Sequence, residues 1–169
     1  MQFTCVGFDV REWPWSGEFN TDETGWEQNE ESYASLIEQF GLRENEYQLL
    51  EILDREQLLK ITEFIERKEN CNLVAIEFPY NVVRLQDAKY GYKTAMTPID
   101  LSSFTCRGFD VCDFNGLFSA LHNRYLGKDT SGLFTESQLI EALEFAQVAN
   151  IFVREHSPYV VAKIYTLKV

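Results

Sequence analysis

The sequence predicts an α+β fold, with α/β as the alternative: one domain over residues 1–169, built from two related strand-helix-strand-helix-strand units. Two matches within the chain predict this. "FTCVGFDV" at 3–10 recurs as "FTCRGFDV" at 104–111, identical at seven of eight positions. "EQLLKITEF" at 56–64 recurs as "SQLIEALEF" at 137–145, with four identities and the conservative Leu59/Ile140 exchange. One short match is weak evidence; two in the same order point to a duplication. The units run over about 2–80 and 103–167, related by a pseudo-two-fold axis, with 84–98 as the connector.

Each element has a local reason. The repeated octapeptides are rich in aromatic and β-branched residues and read as strands. "YASLIEQFG" at 33–41 and "LFSALHNRYLG" at 117–127 read as short helices, each closed by a glycine, Gly41 and Gly127. "EYQLLEIL" at 46–53 reads as a strand, and "GLFT" at 132–135 as its shortened counterpart. The 56–64 and 137–145 segments are amphipathic at helical spacing, through Leu58, Ile61, Phe64 and Ile65 in one and Leu139, Ala142, Leu143 and Ala146 in the other. Asp54 and Thr135 stand ahead of them as N-caps. "NLVAIEF" at 72–78 and "YVVAKIY" at 159–165 close the units as strands. The stretch from Arg84 to Thr97 is expected to form an irregular hairpin.

Length and composition fit a globular domain: 169 residues, 45% hydrophobic and 14% aromatic, are enough for a substantial core. There is no basic and apolar leader at the N-terminus and no run of about twenty apolar residues, so a soluble cytoplasmic protein is expected, without a membrane partner. The net charge of −12 repels phosphate backbones, which argues against direct nucleic-acid binding and favours a cationic protein partner.

The chain carries no Cys-x-x-Cys pair and two histidines, so neither a metal site nor a cofactor is expected. Cys5 and Cys106 occupy equivalent positions on the apolar parity of the repeated strands and are expected to be buried, reduced thiols. Nucleotide-binding glycine runs, metalloprotease pairs and nucleophile elbows are absent, and no catalytic residue is assigned. A Cys106–His122 nucleophile and base is the weakest of the functional alternatives. Asp9 and Asp110, at the ends of the repeated strands, are either turn-stabilising carboxylates or ligand-binding ones in a cleft between the units.

The two units differ most at "EWPWSGEFNTDETGWEQNEE", residues 12–31, an insertion after the first strand. It holds seven acids (Glu12, Glu18, Asp22, Glu23, Glu27, Glu30 and Glu31), no base, and all three tryptophans, Trp13, Trp15 and Trp26. Pro14, Gly17 and Gly25 mark it as loop. Aromatic anchors among carboxylates suit a basic protein surface. The alternative is a lid whose tryptophans cover the core.

A small acidic protein with this insertion, the "GFDV" strand ends and no catalytic motif resembles the bacterial immunity proteins of contact-dependent inhibition and related polymorphic toxin systems. The resemblance is one of general character over the whole chain. It implies a non-enzymatic inhibitor that binds a cognate toxin domain, commonly a basic nuclease. The competing classes are a small-molecule or regulatory module and the Cys106–His122 hydrolase.

Overall fold

The computed structural model describes residues 1–12, 28–92, 99–113, 119–121, 132–152 and 158–168. They form a single α+β domain around a four-stranded antiparallel sheet. In chain order the elements are β1 (Phe3–Glu12), α1 (Glu30–Phe40), α2 (Arg55–Glu66), β2 (Cys71–Pro79), α3 (Tyr80–Tyr90), β3 (Thr105–Asp113), α4 (Leu139–Phe152) and β4 (Tyr159–Thr166). The strand order is β1-β2-β4-β3, so the two repeated octapeptides form the two outer strands.

The registers correspond between the halves. Gly7 of β1 faces Ile76 of β2, Gly108 of β3 faces Ile164 of β4, and Ile76 faces Ile164 across the middle of the sheet. Each outer strand has its bulge in the same place, between Cys5 and Gly7 and between Cys106 and Gly108. Both glycines have positive φ, 153° and 115°, where a side chain is strained. Phe3 meets Phe109 at 5.7 Å between ring centroids and Phe8 meets Phe104 at 6.1 Å, so the sheet curls far enough for β1 to touch β3 and the residue before it.

Alternation along the strands makes two apolar layers. Phe8 and Val10 of β1 with Leu73 and Ala75 of β2 pack under Leu36 of α1 and Ile61 and Ile65 of α2. Phe109, Val111 and Val161 pack under Ala142, Phe145 and Ala149 of α4. The opposite face, with Val74, Ile76, Phe78, Val160, Ala162 and Ile164, is covered by Tyr47, Leu49 and Val83 of α3. Truncating one of these fully buried large residues to alanine costs about 2–5 kcal/mol.

The capping chemistry agrees with the sequence. Asp54 Oδ1 accepts from the Gln57 backbone N–H at 2.7 Å, and Gly41 closes α1 in the left-handed conformation. Gln57 Oε1 accepts from Leu53 N–H, and in the second half Gln138 Oε1 accepts from Thr135 N–H.

Four expectations are corrected. Residues 46–53 are not a strand: Asn45 Oδ1 accepts from Tyr47 and Leu49 N–H, while its Nδ2 donates to Val6 C=O, and the resulting compact turn leaves one two-way exchange, between Phe8 and Leu50. Residues 132–135 likewise contribute a single bridge, Phe109 to Phe134. The 84–97 stretch is not a hairpin where it is described, because α3 continues to Tyr90 with Val83 buried; residues 93–98 lie outside the described part. Of the helix expected at 117–127, only 119–121 are described, and these are not helical: Ala120 N–H donates to Val111 C=O and Ser119 bridges to Cys112.

Candidate functional site

Two buried carboxylates join the outer strands to the residues at which the described chain resumes. Asp9 pairs with Val74 and Asp110 with Ala162, which puts both on the sheet face away from α1, α2 and α4. Asp9 Oδ1 accepts from Val10 N–H at 2.8 Å and from Gln28 Nε2 at 2.7 Å. Asp110 Oδ1 accepts from Val111 N–H at 2.7 Å and from the Ser119 hydroxyl at 2.6 Å. Gln28 and Ser119 lie where the described chain resumes after residues 13–27 and 114–118. The backbone returns in the same way, with Asn29 N–H on Val10 C=O and Ala120 N–H on Val111 C=O. The geometry of Asp9 and Asp110 is therefore that of turn-stabilising groups.

The charges differ between the two. Arg11 Nη2 lies 2.7 Å from Asp9 Oδ2, and both side chains are almost wholly buried. Burial pushes the Asp9 carboxyl up against the pull of Arg11, and pushes Arg11 down against the pull of Asp9. Among the described residues Asp110 has no ion-pair partner. Burial pushes it up to about 7, its two hydrogen bonds and the field of Arg11 opposing, and its Oδ2 has no hydrogen-bond partner among the described residues.

Of the acidic insertion, the structure describes the two ends. Glu12, Glu30 and Glu31 are exposed, Glu30 and Glu31 in the first turn of α1, where carboxylates suit the helix dipole. Trp13, Trp15, Glu18, Asp22, Glu23, Trp26 and Glu27 lie outside the described residues. Asn29 starts α1 by accepting from Ser32 N–H, while its Nδ2 donates to Asn70 C=O.

Sequence reasoning missed three groups. Arg11 was legible as an opposite charge two residues from Asp9, on the same strand face. The second group sits in the middle of the sheet. In the two inner strands only Glu77, Lys163 and Tyr165 are not fully buried. Glu77 faces Lys163 across the strands and accepts from the Tyr165 hydroxyl at 3.0 Å, and the Lys163 ammonium lies 5.4 Å from the Tyr165 ring centre. Burial raises the Glu77 pKa. The third group is the outer side of α4, where Ile140, Val148, Ile151 and Phe152 are exposed.

Cys5 and Cys106 are half-buried rather than buried, because the bulges turn the strands just beyond them; Cys71 and Cys112 are buried. Burial pushes Cys5 up to about 12 and Cys106 up to about 11, and Glu136 adds to the rise at Cys106. His122 lies outside the described residues. Native Cys106 should therefore react with a thiol reagent at pH 8 on the order of a hundredfold more slowly than an unstructured cysteine. Stopped-flow labelling measures this; rapid labelling that is lost in His122→Ala would restore the hydrolase reading.

Among the described residues no cluster of metal-ligating side chains occurs, and no helix is long and apolar enough to cross a membrane. No family model, curated protein or solved structure matches the chain.

Proposed function

We propose that the protein is a cytoplasmic, non-enzymatic inhibitor of the immunity-protein kind, which neutralises a cognate toxin domain through its acidic insertion. A basic nuclease is the toxin whose charge fits. The observation that carries this reading is the way the insertion is mounted. The Gln28–Asp9 and Asn29–Val10 bonds tie its returning end to β1, from which it departs, while Glu12, Glu30 and Glu31 at its two ends face solvent. A segment fastened at both ends has less conformational freedom to lose on binding. The matched registers of the two halves favour a fused duplication as the origin of the scaffold.

Charge and apolar anchoring leave separate signatures in binding kinetics against the cognate toxin. Replacing Glu18, Asp22 and Glu23 by lysine should slow association and flatten its salt dependence. Trp13→Ala, Trp15→Ala or Trp26→Ala should speed dissociation, by about 2 kcal/mol where the ring is an anchor. Unchanged rates in folded variants of both kinds would remove the insertion from the interface. The small-molecule reading gains support from the half-exposed Glu77, Lys163 and Tyr165 rather than from the two aspartates.

A further inference from the structure

α4 is apolar on both sides. Its inner face supplies Ala142, Phe145, Ala146 and Ala149 to the core. On its outer side Ile140 is 69% exposed, Val148 39%, Ile151 60% and Phe152 75%. A helix that faces water on one side normally carries polar residues there. Ile140, Glu144, Val148 and Ile151 follow one another at intervals of four, four and three, so they form one continuous stripe. The other half of the chain provides a comparison. The position that aligns with Ile140, Leu59, is also exposed and apolar at 53%, and α2 ends at Glu66, before the positions that align with Val148 and Ile151, so the full stripe belongs to α4 alone.

The stripe also specifies the charge of what covers it. Over its 14 residues α4 has no lysine or arginine, and its exposed glutamates are Glu141 and Glu144. Glu144 lies at the centre of the stripe, four residues from both Ile140 and Val148. A second copy of the chain suits it poorly. Antiparallel pairing that sets Ile140 against Phe152 also sets Glu144 against Val148, leaving a carboxylate under apolar cover with no cation from either helix. A protein of charge −12 would in addition be repelled by itself.

We propose that the outer stripe of α4 is a docking surface for a basic protein partner, whose contact face is apolar with a lysine or arginine at its centre to meet Glu144. The proposal rests on the reading of the protein as a binder of a basic partner, but it places a contact outside the insertion.

Two synthetic amphipathic helical peptides test it, identical except for lysine or glutamate at the centre of a leucine face. The lysine peptide should bind at least about tenfold more tightly, with amide shifts in NMR spectra concentrated on α4. Glu144→Lys should invert the preference and Ile151→Ser should abolish binding; both positions are exposed, and thermal melts verify that the variants fold. Binding of neither peptide, or a preference that survives Glu144→Lys, overturns the proposal. So does self-association in sedimentation experiments that Ile151→Ser removes, since the occupant would then be a second copy. The insertion variant with Glu18, Asp22 and Glu23 changed to lysine should bind the lysine peptide as the parent does. If the cognate toxin responds to that variant and ignores both α4 variants, the inhibitor reading stands and this one falls.

Discussion

Gly108→Ala is expected to be among the most damaging single substitutions in the chain. An added Cβ would sit 2.0 Å from the carbonyl oxygen of Phe134, and the backbone there has φ of 115°. Neither problem has a local remedy, because the Phe134 backbone exchanges both of its hydrogen bonds with Phe109. Moving it away breaks that pair and lifts the Phe134 ring off Phe145. A loss of about 4 kcal/mol or more follows, a large part of the stability of a domain this size. At Gly7 the nearest atom is the Leu49 Cβ at 2.6 Å, a milder overlap than the 2.0 Å at Gly108, so Gly7→Ala should cost less. Urea denaturation of both variants gives the ranking. A cost under about 1 kcal/mol at Gly108 would mean that Phe134 is not held as described.

Asp110 should make the protein lose stability as pH rises from about 4 to about 7. Its carboxyl is raised from 3.8 to about 7 in the folded state. Between those values the folded protein keeps a proton that the unfolded chain has released, so raising the pH favours unfolding. Above pH 7 the full penalty applies, about 4 kcal/mol as an upper figure from about three pKa units. Below the ordinary carboxylate range it vanishes. Asp110→Asn retains the oxygen that accepts from Val111 and Ser119, and it removes the ionisation. Its stability should fall below that of the parent near pH 4, from an amide left without a partner, and match or exceed it near pH 8. Asp9 and Glu77 are also raised and slope the parent's curve in the same direction. The decisive quantity is therefore the difference between the two urea-midpoint curves, and parallel curves would refute the assignment.

How much of this was legible in the sequence depended on whether the information was local. The four strands, the Asp54 cap and the Gly41 helix end are encoded by residues within a few positions of one another, and they appear where they were read. The 46–53 stretch has the composition of a strand, yet Asn45 turns its backbone polar groups inward to serve the turn, a choice settled by Val6 some forty residues earlier. The α3 helix leaves little trace in the sequence because its apolar contribution to the core is chiefly Val83, too little to set a periodic pattern. At the candidate site, the acidic aromatic insertion was visible from composition alone. Its fastening was not, since Gln28 meets Asp9 only after the chain has gone out and returned. The outer stripe of α4 was hidden for another reason: a helix apolar on both sides reads as a buried one.

The short bridges beside β1 and β3 bear on how other chains can approach. Leu50 and Gln28 pair with Phe8 and Arg11, and Phe134 and Ser119 pair with Phe109 and Cys112, along the outer sides of the two end strands. An unguarded end strand invites a foreign strand to extend the sheet, which is the usual beginning of aggregation. Here the polypeptide occupies its own borders at those points. A newcomer finds few main-chain groups there to bond with, and recognition by strand addition is blocked along those stretches. Along those stretches, association has to proceed through side chains.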